Sequence, residues 1–224
     1  MTAPTRLDEP LSVRYAAMAR EMAEPRASDT VLRALDVAVA GVGLAAMALP
    51  MAAIALAIRL TSGPPVLYRG LRVGRGGELF TMYKFRTLTP DAETRLGPYL
   101  GPELTTLTEM ESTRLGRLLR AAHLDELPQL WNVLTGTMSV VGPRPIRPTF
   151  FEELCRDVPQ YWQRLVVRPG ITGLAQLRMT REMTWSEKLA HDLEYIADRS
   201  PGLYLSIATA TLAQGLGSTP RRGH

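Results

Sequence analysis

Residues 37–58 read VAVAGVGLAAMALPMAAIALAI, a run of 22 residues from Val37 to Ile58 without one charge. As a straight helix it would measure about 33 Å, enough to cross the hydrocarbon core of a bilayer. The competing reading is a buried core helix, but a run of this length with no polar stripe fits a membrane segment better. Pro50 stands near its middle, removes one backbone hydrogen bond and tends to kink a helix. Arg20, Arg26 and Arg33 precede the run, and Arg59, Arg69, Arg72 and Arg75 follow it. Basic flanks favour the cytoplasmic face, and here both flanks are basic. A helix that enters the bilayer, breaks at Pro50 and returns satisfies both ends. A single span with a weak charge bias is the alternative.

The rest of the chain sets the class of protein around this segment. The chain has 224 residues with 46% hydrophobic and 21% charged, ordinary for a packed domain with an anchor. The net charge of +4 is unevenly spread: residues 31–88 carry six arginines and one lysine against Asp36 and Glu78. Aromatic residues are only 6%, so the basic excess suits a membrane surface better than nucleic acid. The single Cys155 excludes an internal disulfide and a CxxC redox centre, and three histidines without HExxH argue against a zinc site. Only Lys84 and Lys188 are lysines among 26 basic residues.

Residues 1–30 read as a polar, weakly ordered lead-in, with a short amphipathic helix possible from Leu11 to Met22 and without the order of a signal peptide. Gly63-Pro64-Pro65 stops the apolar helix. Val66-Leu67-Tyr68 and Glu78 to Phe85 predict a β-hairpin through Gly74-Arg75-Gly76-Gly77. The glycines match neither dinucleotide nor P-loop spacing. Residues 89–113 read as a polar loop with helical pieces. Helices are expected from Leu115, over Leu127–Leu134, Thr149–Cys155, Pro159–Leu165, Trp185–Ala197 and Leu203–Leu212. A tight Pro/Gly loop is expected over 136–145, and a strand or loop over 166–173. The fold class is therefore α+β and mainly helical: a re-entrant membrane helix over 31–60, a domain with a small hairpin over 61–212, and a flexible tail over 213–224.

Asp125 and Glu126 are adjacent acids before a helix. Acids there commonly just cap the helix N-terminus. The chemical alternative is that one carboxylate attacks or binds metal while its neighbour manages a proton or the metal. Arg114, Arg117 and Arg120 precede the pair, and Arg144 and Arg168 sit in stiff Pro/Gly loops. Any one of them could be a structural ion pair. Together they suit a phosphorylated ligand, because the planar guanidinium grips phosphate with two bonds. A bilayer anchor, a basic hairpin and a carboxylate pair point to phosphoryl chemistry on a lipid.

The run Leu124-Asp125-Glu126-Leu127-Pro128-Gln129-Leu130, with Asn132-Val133-Leu134, Gly136, Met138-Ser139 and Val141-Gly142-Pro143-Arg144-Pro145, resembles the signature of bacterial sugar transferases. More narrowly, it resembles the small single-domain monotopic phosphoglycosyl transferases. Lys84-Phe85-Arg86-Thr87, Arg168-Pro169-Gly170-Ile171-Thr172-Gly173, and Trp185 with Lys188 and Asp192 through Tyr195-Ile196 extend the likeness over residues 31 to about 212. The resemblance implies a helix broken at Pro50 and a catalytic domain on the cytoplasmic face of the bacterial inner membrane. It implies transfer of a sugar 1-phosphate from a UDP-sugar to undecaprenyl phosphate, with release of UMP and a need for Mg²⁺, at the start of a lipid-linked glycan. It makes Asp125 the nucleophile and Glu126 its acidic partner, both of them metal ligands. Lys84, Arg86, Arg120, Arg144 and Arg168 become substrate contacts. A non-catalytic membrane-surface protein that binds nucleotide-sugar or polyprenyl phosphate is the alternative from another class. Thr137 stands where such proteins usually carry Asp, Leu177-Arg178-Met179-Thr180-Arg181 replaces a Val-Asn-Gly-Arg run, and Gly70 and His123 replace Gln and Ser.

Overall fold

In the computed structural model, residues 19, 20, 22, 25–90, 92, 95, 102–180 and 183–217 are described. The expected Leu11–Met22 helix and most of the lead-in lie outside them.

The apolar run forms helix α1, Ala27–Ser62. It starts earlier than expected because Asp29 accepts a hydrogen bond from the Arg26 backbone N–H at 3.0 Å, which supplies an N-terminal cap. It ends at Gly63, whose φ of 69° suits a residue without Cβ. Pro50 lies inside this helix, so any turn there is a bend within one continuous helix and not the expected break into two. Proline removes a single N–H, and the alanine- and leucine-rich turns on either side carry the helix on. Val37, Val39, Val42, Met47, Leu49, Leu56 and Leu60 are exposed, Leu49 by 84%, so this is not a core helix of the chain. Among the described residues this is the one helix long and apolar enough to cross a membrane.

Strands β1, Leu67–Val73, and β2, Leu79–Phe85, form the expected antiparallel hairpin, with Leu67 opposite Phe85 and Val73 opposite Leu79. Arg75–Gly77 closes it in a 3-10 turn, with Gly76 and Gly77 at positive φ. Helices α2, Pro102–Met110, α3, Arg114–Ala121, and α4, Gln129–Thr135, follow. The loop expected over 136–145 contains strand β3, Ser139–Val141, which pairs in parallel with β4, Gly170–Thr172. Sequence reading missed this second small sheet, because each strand is three residues long and its partner lies 31 residues away. Helix α5, Pro148–Asp157, and a 3-10 segment, Tyr161–Val166, lie between the two strands. The chain closes with α6, Leu174–Arg178, α7, Trp185–Asp198, and α8, Pro201–Gly217. Helix α8 thus runs past Leu212, and residues 213–217 are helical instead of belonging to a flexible tail.

Both ends of α1 dock on this body. Near its start, Leu32 packs with Val141, Tyr195, Tyr204 and Ile207, and Ala40 with Phe80, Met82, Val133 and Met138. Asp36, 2% exposed, accepts hydrogen bonds from Ser139 Oγ and Val140 N–H at 2.8 Å and from the Tyr204 hydroxyl at 3.0 Å. Near its end, Ile58 packs with Phe85 and Leu119. Arg86 donates from Nη2 to the Ser62 and Gly63 carbonyls at 2.7 Å and from Nη1 to the Pro64 carbonyl at 2.9 Å. Those carbonyls lack intrahelical partners, so the guanidinium caps the helix C-terminus.

Candidate active site

The acids Asp125 and Glu126 lie on a 3-10 turn, Leu124–Glu126, between α3 and α4. His123 before them adopts a left-handed conformation, φ 55°, which turns the chain out of α3. Helix α3 is placed by its N-cap Thr113, whose hydroxyl accepts from Gly116 N–H at 2.9 Å. A Cβ on Gly116 would stand 2.0 Å from the Thr87 carbonyl oxygen, so only glycine lets α3 lie this close to the end of the hairpin. That contact brings Arg120 to Thr87, with Nε donating to Oγ1 at 2.9 Å.

Lys84 reaches the acids from β2. Its Nζ is 2.5 Å from Glu126 Oε1, in a pair that is largely buried. Arg144 approaches the same oxygen at 3.6 Å from the loop after β3. The parallel sheet holds that loop: Gly142 N–H donates to the Thr172 carbonyl at 2.8 Å, and Gly170 N–H to the Pro143 carbonyl at 2.9 Å. Asp125 is 8% exposed and makes no side-chain ion pair among the described residues. Burial, the largest influence, raises its pKa, and Glu126 adds to the rise against the pull of Lys84 and Arg120. Burial also pushes Glu126 upward, but Lys84 and Arg144 outweigh it and hold that carboxyl below its ordinary value. Two adjacent carboxyls are thereby split into an ion-paired anion and a less solvated, unpaired carboxylate.

A cleft of about 1040 Å³ opens over the pair. Lys84, Arg86, Arg120, Asp125, Glu126 and Arg144 of the expected residues line it. Arg86 lines it with both terminal nitrogens bonded to carbonyls at the end of α1. Arg168 does not line it. Its Nε donates to the Gly136 carbonyl at 2.9 Å beside a different depression, formed with Gly74, Arg75 and Thr137. Thr137 bonds instead to the backbone and side chain of buried Asn132, and it lines the second depression, not the cleft. Sequence reading did not assign Arg69, Arg72 and Arg147 to the site, yet all three line the cleft. The Pro-Arg-Pro-Ile-Arg run, with Arg147 three residues after Arg144, was the available signal for the last. Lys188 lies 4.0 Å over the Trp185 ring, which accounts for the second lysine by cation–π packing away from the cleft. Arg178 pairs with Glu194 at 2.6 Å on the surface, and Arg181 lies outside the described residues.

The arrangement can hold a phosphorylated ligand among cations, with one buried carboxylate facing it. Among the described residues no group of three or more His, Cys, Asp or Glu side chains could hold a metal by itself. Asp125 and Glu126, both lining the cleft, are the hard oxygen donors there of the kind that Mg²⁺ takes.

The chain belongs to the bacterial sugar transferase family, whose model matches residues 27–218. It is 35% identical over 185 residues to a UDP-N-acetylgalactosamine-undecaprenyl-phosphate N-acetylgalactosaminephosphotransferase of Aeromonas hydrophila, covering 81% of this chain and 43% of that protein. It is 39% identical over 193 residues to a UDP-glucose:undecaprenyl-phosphate glucose-1-phosphate transferase of Caulobacter vibrioides, covering 83% of this chain and 70% of that protein. A protein of the same description from Escherichia coli is 35% identical over 188 residues, 82% of this chain and 39% of its own length. The chain therefore spans under half of the first and third relatives and more than two thirds of the second.

Proposed function

We propose that this enzyme is a phosphoglycosyl transferase that moves a sugar 1-phosphate from a UDP-sugar to undecaprenyl phosphate and releases UMP. The observation that carries the reading is the division of labour between Asp125, buried and without an ion pair among the described residues, and Glu126, held by Lys84, under a cleft walled by arginines. The names of the relatives support the donor and acceptor classes.

In the first step a carboxylate oxygen of Asp125 attacks the sugar-bearing phosphorus. The bond from that phosphorus to the bridging oxygen breaks, and UMP leaves. In the second, a phosphate oxygen of undecaprenyl phosphate attacks the aspartyl phosphosugar, and the Asp125 carboxylate is regenerated with the lipid diphosphosugar. Both steps bring anions together, so positioning and charge neutralisation carry the catalysis. Lys84 fixes Glu126, while Arg120 and Arg144 offer donors to phosphate oxygens. Mg²⁺ held by Asp125 and Glu126 would neutralise the diphosphate charge. Splitting the transfer lets a soluble and a lipid substrate use one small cleft in turn.

The docking of both ends of α1 on one body supports a re-entrant anchor. A single crossing would carry Arg33 and Arg59 to opposite faces, whereas the contacts of Leu32 and Asp36 and those of Ile58 belong to the same domain. We place that domain on the cytoplasmic face of the bacterial inner membrane, in exopolysaccharide or related glycan assembly.

The test is UMP release by detergent-solubilised protein given Mg²⁺, undecaprenyl phosphate and a panel of UDP-sugars. Release that disappears in Asp125→Asn supports the reaction and names the donor. Folded wild-type protein that releases nothing with any UDP-sugar, or Asp125→Asn that retains full activity, overturns it.

A further inference from the structure

A second basic depression of about 440 Å³ lies at the closed end of the hairpin and shares no lining residue with the catalytic cleft. Arg20, Arg75 and Arg168 line it, with Glu78 as its one carboxylate among the described residues. Arg75 and Arg168 also border an adjoining hollow with Arg33. Arg33 and Arg168 converge on the end of α4. Arg33 donates to the Val133 and Leu134 carbonyls at 2.7 and 2.9 Å, and Arg168 Nε donates to the Gly136 carbonyl at 2.9 Å. Gly136 sits between them at φ 89°, and a Cβ there would stand 3.4 Å from Arg33 Nη2.

The end of a short helix offers about half a negative charge, too little to balance these guanidiniums. Glu78, at the exposed rim, is the single carboxylate facing the depression among the described residues, and the acids of the adjoining hollow are engaged elsewhere. Asp29 pairs with Arg199 at 2.8 Å, and Asp36 is held by Ser139, Val140 and Tyr204, with Arg33 at 3.9 Å. Arg75 is exposed and makes no side-chain hydrogen bond or ion pair among the described residues. Arg168 uses one of its five donors. Burial, and then the like charges of Arg33 and Arg75, weigh against its cationic form and outweigh the pull of Asp36 and Asp29, a cost that a bound anion would reduce.

We propose that Arg75 and Arg168, backed by Arg33, form a second phosphate-binding site, separate from the catalytic cleft, for a phosphate carried by a lipid headgroup or free in solution. The depth of the site suits a headgroup, given the reading of α1 as a membrane helix. Arg33 precedes the uncharged run by four residues, about 6 Å along the helix axis. Planar guanidiniums with unspent donors favour phosphate oxygens, and a phosphodiester presents two of them.

The test uses the full chain in phosphatidylcholine nanodiscs and reads binding, independently of turnover. In one arm the discs carry a minor fraction of phosphatidylglycerol, and lipid retained by the protein is counted by native mass spectrometry. In the other, radiolabelled inorganic phosphate is measured by equilibrium dialysis. Arg75→Gln/Arg168→Gln should weaken binding about tenfold or more in at least one arm. Arg75→Gln alone should weaken it less, and because its side chain is exposed and unbonded it keeps the fold intact. Thr137→Asp, which places a carboxylate in the depression, should act like the double variant. Lys84→Gln, in the catalytic cleft, should leave the component lost in the double variant unchanged. An effect in the lipid arm alone assigns a headgroup, and an effect in the phosphate arm alone assigns a soluble ligand. Wild type that binds neither probe, a double variant that binds both as wild type does, or loss of the same component in Lys84→Gln overturns the proposal.

Discussion

Lys84 and Glu126 are 42 residues apart in the chain, yet Nζ and Oε1 meet at 2.5 Å and close one side of the candidate active site. The lysine comes from the second strand of the hairpin and the glutamate from the turn between two helices. Their meeting separates the acids into one neutralised carboxylate and one left to face the cleft.

Replacing Lys84 by Gln should reduce kcat by about tenfold to a hundredfold, the scale of one lost charge-assisted bond in a transition state. It should also move the pH profile. Asp125 is raised by burial, so activity should fall as pH drops through a point above the ordinary aspartate value. Lys84 lowers both acids, so its loss should shift the acidic limb of kcat/KM to higher pH. A profile that keeps its acidic limb in Lys84→Gln would show that neither carboxylate governs it.

The Asp36 carboxylate fastens α1 to β3 and α8. Asp36→Ala leaves the Ser139 hydroxyl, the Val140 N–H and the Tyr204 hydroxyl without this partner, and should destabilise the solubilised protein by about 2–4 kcal/mol. Asp36→Asn keeps one acceptor oxygen and should cost less. Thermal unfolding followed by circular dichroism ranks the two.

Arg164 and Asp192 form a buried pair, with Nη2 to Oδ2 at 2.8 Å and Tyr161 supporting the guanidinium. Removing one partner strands the other charge, so Asp192→Ala should cost about 3–5 kcal/mol. Arg164→Met with Asp192→Leu should cost less than either single change, because no unpaired ion stays in the core. A double-mutant cycle on melting free energies checks this order.

Glu111 ties Thr89 and Arg95 to the loop before α3. The hydrogen bond from Arg95, and then that from Thr89, hold its pKa at about 2, against an ordinary 4.5. A depressed carboxylate contributes stability that is present above the unfolded value and is lost as pH falls through the folded one. The melting-temperature gap between wild type and Glu111→Gln should be largest above pH 4.5 and close as pH approaches 2. A gap that is constant across that range would assign the difference to something other than this ionisation.

Much of the architecture was readable along the chain, because its causes are local. The uncharged run from Val37 to Ile58 and the alternating, glycine-turned hairpin each declare themselves within a short window. The parallel pairing of β3 with β4 did not, since three-residue strands carry too little pattern to reveal a distant partner. The arginines divided for a related reason. A guanidinium rides on a long flexible stem, and its spacing along the chain says little about which carbonyl or carboxylate it will find.

Adjacency therefore placed Asp125 beside Glu126, and composition marked α1 as an anchor, before any folding was considered. Long-range packing did the sorting. It bound Lys84 to Glu126, turned Arg86 to the end of α1, carried Arg168 to a separate depression, and docked both ends of α1 on one body. Those outcomes rest on contacts between segments tens of residues apart. Their energies come from burial and paired charges, which exist only once the chain has closed on itself.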